Sequence, residues 1–476
     1  LAVALLLAGW AAACGGTSSP AGATRSASGP RPNFVVIIAD DMAAGLFGAG
    51  RRFPFLSLPN LERLAAQGVQ FEQAFVTTSL CSPSRASILS GVYAHTHGVL
   101  VNDSMDLPSS VATCPRLLQQ AGYRTALIGK WHMDSRRDAP RPGFDYWLSF
   151  RGQGTYNDPV LNLNGTTVQT PGYMTSILTD YAVDWLRQRG TEPFLLILSH
   201  KAAHGPFEPA ERHRAALADA ALPEPPSFRD SFREKPAWQR RYASCGGTSL
   251  AFSQCPDPLP SELPAWSWSP REPWRLDYLR TLLALDDSVG SVVAELERQG
   301  LARSTYVLFM SDNGMLLGEH RLGDKRLAYE ESMRIPFVMA GAGLPPRRVN
   351  GMALNLDVAP TLLELAGVPV PREMHGRSLV RLLRGESQRV RDSFVYEYFT
   401  ERSLPVVPPF HGIRTAGMKY LRYANAEEEL YDLGADPFEL ANLSARPEWA
   451  SVKLDLRAQL DRLLDETSPP EPTAVR

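Results

Sequence analysis

The chain has no excess of charge of either sign. Lys and Arg total 49 and Asp and Glu 51 in 476 residues, a formal net charge of −2. No overall basic field exists to hold a nucleic acid by counterion release, so any anion must be held by a local constellation. Cysteine is scarce, with five residues in the whole chain, and at this length a small disulfide-stapled scaffold is excluded. The signature of disorder is also missing, because 44% of residues are hydrophobic and 21% charged, which is a globular balance able to build a sizeable core. The apolar run that opens the chain, LAVALLLAGWAAACG, stops after Ala13, short of the ~20 residues a membrane-spanning helix needs.

That opening run reads as a secretory signal core. Small residues lead directly into Cys14, and the polar segment GGTSSPAGATRSASGP follows. The pattern resembles a bacterial lipoprotein signal with a lipid-anchored cysteine and a flexible tether over residues 1–30. Plain secretion and a cytosolic chain with an apolar start are the alternatives. Export implies an oxidising compartment, so the remaining thiols need assignments. Cys245 and Cys255 flank a short Gly/Ser-containing loop and are the candidate disulfide, a geometry that spacing alone does not establish. Cys114 is expected to be buried and inert, which leaves Cys81.

At about 100–200 residues per domain, the length fits two packed units or one large α/β domain with an appendage. Past the tether the chain repeats one grammar. A short apolar run rich in β-branched residues ends in polar residues, and a helical pattern follows. FVVII (Phe34–Ile38) runs into Asp40 and Asp41, and TALIG (Thr125–Gly129) into Lys130 and His132. FLLIL (Phe194–Leu198) leads to His200, Lys201 and His204, and Thr305–Met310 leads to Asp312, Asn313 and Gly314. Continuous apolar strands between helices predict an α/β fold with a mostly parallel central sheet covered on both faces. Ligands of such sheets bind beyond the carboxyl ends of the strands, so four strands deliver their charged residues to one crevice.

The helices have legible ends. In PNLERLAAQG, Asn60 is expected to cap the start and Gly68 to supply a left-handed stop; Gly122 does the same for PRLLQQAG. From about Leu222 to Trp274 the periodicity dissolves into Pro, Trp and Cys, predicting an irregular insertion near the crevice. After the helix-like Leu354–Gly367, the segments Phe394–Phe399, Met418–Tyr423 and Glu429–Leu433 predict a small antiparallel sheet, and Trp449–Leu464 a closing helix. The expected division is a catalytic part over 31–388, a C-terminal subdomain over 389–467 and a loose tail over 468–476.

The densest signal is Cys81-Ser82-Pro83-Ser84-Arg85. Pro83 suits the first turn of a helix, which places Cys81 at an N-terminus that favours anions. Arg85 lies one turn on, on the same face, where its guanidinium reaches an oxyanion bound beside Cys81. Taken alone, the pentapeptide also fits a half-buried cysteine ahead of a helix with a solvated arginine.

Cys81, Pro83, Ser84, Arg85, Leu89 and Gly91 resemble the signature of the type I sulfatases. The resemblance continues through RPNFVVIIADD, GKWHM, KAAHGPF, SDNGMLLGEHRLGDK and ELYDLGADPFELANL, in family order. It implies an alkaline-phosphatase-like fold and conversion of Cys81 to formylglycine by a separate formylglycine-generating enzyme. Asp40, Asp41, Asp312 and Asn313 resemble the family's calcium ligands, with position 81 beside them. An oxygen-only donor set of three carboxylates and an amide suits Ca²⁺ better than Mg²⁺, which demands a tighter octahedron.

The resemblance also implies the chemistry. One hydroxyl of the formylglycine hydrate attacks sulfur in line, and His204 protonates the departing oxygen. His132 then deprotonates the second hydroxyl of the sulfated-enzyme intermediate, so that sulfate leaves and the aldehyde returns. Lys130, Lys325 and Arg85 neutralise the sulfate group. His95, His97 and His320 are expected either to support the site from behind or to be structural, while Asp134, Arg136 and His200 are open as substrate contacts that no spacing argument selects. The stretch PRPGFDYWLSFRGQGTYNDPVLNLNG looks most like N-acetylglucosamine-6-sulfatase-like enzymes, implying a sulfated carbohydrate or aryl sulfate substrate. Two other classes stay open: a phosphate or phosphonate monoester hydrolase on the same scaffold, and a noncatalytic lipoprotein that binds sulfated glycans.

Overall fold

The computed structural model describes residues 31–48, 51–102, 105–248 and 267–468. Its centre is a ten-stranded sheet. The four apolar runs form four adjacent parallel strands in the order Thr305–Ser311, Asn33–Ala39, Phe194–Ser199, Arg124–Gly129. Tyr146–Ser149 adds in parallel at one side, followed by the antiparallel strands Val160–Leu163 and Thr166–Gln169. On the other side, Phe337–Gly341 runs antiparallel to Thr305–Ser311, and Val69–Phe71 and Arg347–Val349 complete the sheet.

Side chains alternate across a strand, and here both faces are covered. In Asn33–Ala39, Val35, Ile37 and Ala39 enter one apolar core, and Phe34, Val36 and Ile38 the other. Helices Pro59–Gln67, Met174–Gln188 and Pro273–Arg298 supply the first core with Leu61, Leu178 and Leu282, among others. Helices Cys81–Ser90, Cys114–Gln120 and Val358–Leu365 supply the second with Ile88, Leu118 and Leu362. That double burial is why the strands read as unbroken apolar runs.

A four-stranded antiparallel sheet forms near the C-terminus from Ser393–Tyr398, Phe410–Thr415, Met418–Tyr423 and Glu428–Asp432. The helix Ala450–Thr467 packs on it through Leu456 and Leu460. The architecture is thus the mostly parallel α/β sheet with a smaller antiparallel sheet that the sequence predicts.

Two local expectations are corrected. The first helix starts at Pro59 with Leu58 ahead of it, so Asn60 lies inside the first turn. Its amide donates to Asp286 Oδ2 at 2.9 Å on a neighbouring helix rather than capping its own. Gly68 has φ −127°, an extended conformation; its value is space, because a Cβ there would stand 2.6 Å from the Met339 carbonyl. Gly122, at φ +83°, is the left-handed stop expected. The stretch expected to be irregular includes a helix, Ala237–Ser244, whose Trp238 packs edge-on against Tyr423 of the antiparallel sheet. Trp268 packs on Phe228 and Trp274 on Phe207, so these rings form local core.

Cys245 is disulfide-bonded. Its expected partner Cys255, the candidate lipid site Cys14, Trp266 and most of the expected tail lie outside the described residues. Cys114 is buried and free, as expected. Among the described residues no helix is long and apolar enough to cross a membrane.

Candidate active site

The parallel strands end together, and the residues immediately beyond them build the site. Asp40 and Asp41 follow the first strand, Lys130 and His132 the second, Lys201 and His204 the third, and Asp312 and Asn313 the fourth. Helix Cys81–Ser90 points its N-terminus into the same place, with Arg85 buried on its inner face. Lys325 arrives from the loop after the fourth strand.

Position 81 is the hub. Its thiol donates to Asp40 Oδ1 at 3.4 Å and accepts from Lys325 Nζ at 3.0 Å. Lys130 also bonds to Asp40, and Lys325 to Asp41. Arg85 pairs with Asp312 through Nε at 2.9 Å and Nη2 at 2.8 Å, and its Nη1 donates to the Lys130 carbonyl at 3.0 Å. Asp41 takes its backbone N–H to Asp312 Oδ1 at 3.1 Å. All of these side chains are buried.

Three carboxylates therefore share one buried pocket with three cations. Burial works against the charge of Asp40, but Lys130, His204 and Arg85 outweigh it and hold the carboxyl well below its usual range. Asp312 goes the other way: burial, then the neighbouring Asp40, lift it to about 7 despite Arg85. Burial also opposes the charge on Lys325, yet Asp41, position 81 and Asp40 keep its ammonium well above the ordinary value.

The donor set has a gap of its own. Ligand oxygens of Asp40, Asp41 and Asp312 lie within 4.8 Å of one another. Asn313 donates Nδ2 to Asp41 Oδ1 at 2.7 Å, while its buried Oδ1 has no hydrogen-bond partner. A buried acceptor without a donor is costly. An orphaned amide oxygen beside three crowded carboxylates fits a hard divalent cation.

Two residues of the site hold left-handed backbones, Asp41 at φ 62° and His132 at φ 64°. Such a conformation costs roughly 1–2 kcal/mol in a residue with a Cβ. At Asp41 the Tyr278 hydroxyl holds the carbonyl at 3.0 Å, and Ser311 Oγ accepts the next N–H at 2.8 Å. The two histidines are both pushed toward neutrality by burial: His132 well below its ordinary value, His204 to about 4. His204 Nδ1 donates to the Gly205 carbonyl at 2.6 Å, and its Nε2 stands 3.7 Å from Asp41 Oδ2.

The structure thus brings Asp40, Asp41, Cys81, Arg85, Lys130, His204, Asp312, Asn313 and Lys325 into one bonded or facing cluster. His132 joins it through Ser82, whose hydroxyl lies 3.2 Å from Nδ1. His200 instead bonds Ser288 at 3.0 Å in the core, and Asp134 pairs with Arg136 and Arg137 away from position 81. His95 pairs with Glu397, His97 with Ser87 and His320 with Asp230. None of those three bonds a carboxylate or a cation of the cluster.

Sequence reasoning missed one residue, Gln153, and placed Lys201 at the crevice edge without giving it a role. Gln153 accepts from Lys130 Nζ at 2.5 Å; its position between Gly152 and Gly154, both left-handed, marks a turn but not its direction. Lys201 is buried, donates to the Gly205 carbonyl at 3.2 Å and lies 4.7 Å over the Tyr156 ring. Burial lowers its ammonium to about 8. It stands in the same strand-end run as His204, a signal that position alone supplied.

Comparison with known proteins agrees with this geometry. Residues 32–368 match the sulfatase family model, and residues 318–466 match the model of the N-sulphoglucosamine sulphohydrolase C-terminal region. An N-acetylglucosamine-6-O-sulfatase of Bacteroides thetaiotaomicron is 32% identical, covering 92% of this chain and 86% of its own. A solved structure of a protein in complex with its substrate D-glucosamine-2-N,6-O-disulfate has a TM-score of 0.83 at 29% identity, over 94% of this chain and 100% of that one. A phosphonate monoester hydrolase of Agrobacterium radiobacter, at 23% identity and TM-score 0.70 over 92% and 96%, shares the fold alone. A crevice at the ends of parallel strands, lined for a tetrahedral anion and matched along most of the sequence, has one reading: this chain belongs to the sulfatase family and hydrolyses sulfuric esters.

Proposed function

We propose that the protein removes sulfate from an extracellular glycan, with an N-acetylglucosamine-6-sulfate-like ester as the substrate class, using formylglycine made from Cys81. One observation carries this reading. Burial, and next to it Asp40, push the Cys81 thiol up to about 12, which disfavours the thiolate that a cysteine nucleophile needs. Yet Lys325 bonds it directly, and Lys130 and Arg85 bond Asp40 and Asp312 beside it. A residue so placed, with its thiolate so disfavoured, needs conversion to act. Because the side chain is fully buried in the folded protein, the maturation enzyme must reach it before folding.

Converted to formylglycine, position 81 supplies a hydrated aldehyde, one hydroxyl of which attacks sulfur while the other later releases sulfate. Asp40, Asp41, Asp312 and Asn313 would hold a Ca²⁺ ion, whose chemistry there is to collect negative charge from sulfate oxygens. Lys130, Lys325 and Arg85 orient the tetrahedral anion and offset the charge that grows on it in the transition state. His204, tied at Nδ1 to Gly205, acts from its imidazolium form: with a second proton on Nε2, which stands 3.7 Å from Asp41 Oδ2, it gives that Nε2 proton to the leaving oxygen and is left as the neutral Nδ1–H ring. His132 takes the proton from the second hydroxyl at position 81. The buried Lys201 and Gln153 complete the wall next to Lys130.

The similarity to the N-acetylglucosamine-6-O-sulfatase, and to the structure holding a glucosamine disulfate, supports the amino-sugar substrate. In this reading residues 31–388 carry the chemistry, 389–467 form a C-terminal subdomain, and the chain is exported and anchored through Cys14. The test is peptide mass spectrometry of active protein together with a screen of defined sulfated mono- and disaccharides, with phosphate monoesters alongside. An aldehyde or its hydrate at position 81 and sulfate release from a 6-sulfated glucosamine are expected. Active protein carrying only intact Cys81, or preferential turnover of phosphate monoesters, would overturn the proposal.

A further inference from the structure

Ser82, the neighbour of the hub residue, is fully buried on the first turn of the Cys81–Ser90 helix. Its backbone N–H is taken by Asn102 Oδ1 at 2.9 Å. Its hydroxyl oxygen has two neighbours on one residue: the His132 carbonyl oxygen at 3.0 Å and His132 Nδ1 at 3.2 Å. A carbonyl oxygen only accepts, so the single hydroxyl proton is committed to it. What remains on Oγ is a lone pair. Nδ1 must then be the donor, and the proton of the neutral imidazole sits there.

We infer that Ser82 is a positioning residue, whose hydroxyl locks His132 in the Nδ1–H tautomer and leaves the ring's lone pair on Nε2. The inference rests on His132 acting as the proton acceptor toward position 81. Among the described residues Nε2 has no hydrogen-bond partner, so no other described side chain selects the tautomer. The same hydroxyl also holds the carbonyl of a residue whose φ is 64°. On the segment's other side, Arg85 Nη1 takes the Lys130 carbonyl at 3.0 Å. Two residues of one helix therefore pin both ends of the Lys130–His132 turn, one by its backbone and one by backbone and ring together.

The opposite tautomer would place a proton on Nε2 and a bare nitrogen against Ser82 Oγ. That arrangement leaves the hydroxyl with two acceptors for one proton, and the ring unable to take a proton from the crevice. An alanine at 82 removes the discrimination without touching the Asn102 bond, which is to backbone. A threonine keeps the hydroxyl.

The first measurement is the ring ¹⁵N shifts of His132 in ¹⁵N-histidine-labelled full-length protein, assigned with His132→Ala. A protonated Nδ1 is expected in the wild type and in Ser82→Thr, and a mixture of tautomers in Ser82→Ala. A protonated Nε2 with bare Nδ1 in the wild type would overturn the inference. The second is kinetics at equal aldehyde occupancy of position 81, checked by mass spectrometry. Ser82→Ala should lower kcat by about tenfold with KM within about twofold, and Ser82→Thr should recover most of it. In a His132→Ala background, Ser82→Ala should cost nothing further; an undiminished additional loss there means a merely structural serine and ends the inference. Full activity of His132→Ala would instead sink the assignment of the proton acceptor, and the tautomer measurement tells the two failures apart.

Discussion

Two regions of this molecule bury ionised side chains, and they do it differently. Beside the antiparallel sheet, Lys419 donates to Glu439 at 2.6 Å, to the Ala328 carbonyl at 2.6 Å and stands 3.0 Å from Glu330, which Arg414 also meets at 3.0 Å. Burial opposes the charge of Glu330, but Lys419 and Arg414 prevail and hold it at about 2. That network is closed. In the crevice, by contrast, Asp312 is lifted to about 7 beside Asp40, and Asn313 Oδ1 is left without a donor. The same residue types thus make a strut when every lone pair is answered, and a binding site when some are not.

The contrast is sharpest at position 81. Cys81→Ala should cut sulfate release more than about 10⁴-fold, because the group that carries the reaction is gone, while the thermal midpoint changes little. Substantial activity in that variant would break the comparison. Next in size is Asp312→Asn, which keeps the shape and removes a negative ligand. It should weaken binding of the divalent cation and lower kcat by about 10³-fold. Calorimetric titration of Ca²⁺ into chelator-treated protein reads the first effect, and equal affinity in variant and wild type would count against Asp312 as a ligand.

His204→Ala should cost about 10²–10³-fold toward a sugar sulfate, since an alkoxide leaves poorly without a proton. Toward an aryl sulfate with an acidic phenol the loss should shrink markedly. Equal losses on both substrates would remove His204 from the leaving-group side.

The parallel strands and their charged ends were legible because burial on both faces writes itself as continuous apolar sequence. Phe194–Ser199 is such a case, and its ends were placed within a residue. Phe410–Thr415 was not read as a strand: His411, Gly412 and Arg414 interrupt the apolar pattern, and Gly412 is there because a Cβ would stand 2.4 Å from Leu421 Cδ2 across the pair. The edge strand Thr166–Gln169 is largely exposed, so it carries no burial signal. The candidate site was legible where residues follow strands directly, as Asp40 and Asp312 do. Lys325, Gln153 and the role of Ser82 depend on loop paths and on which hydroxyl faces which ring, and no spacing records those.

In the closed network the expected effects fall on stability. Lys419→Met removes the cation that Glu330 and Glu439 share and leaves buried carboxylates exposed to each other, which should cost about 3–5 kcal/mol. Urea unfolding measures this, and a loss under about 1 kcal/mol would show that the network is not a strut.

The smallest expected effect concerns Glu429, fully buried and bonded by the Gln239 amide. Burial lifts its carboxyl from the ordinary 4.5 to about 7, against the pull of Lys235. A folded value above the unfolded one means that the native state favours the protonated form. Its contribution is fully present below about pH 4.5 and is lost as pH rises through about 7. Glu429→Gln keeps the size and the acceptor oxygen but cannot ionise. The variant should therefore lie within about 1 kcal/mol of the wild type near pH 5 and exceed it by about 3 kcal/mol at pH 8. Urea midpoints at the two pH values read the difference directly. A variant equally less stable at both would mean that Glu429 is ionised in the folded protein, and that the region beside the antiparallel sheet, like the crevice, holds a carboxylate whose charge awaits an answer.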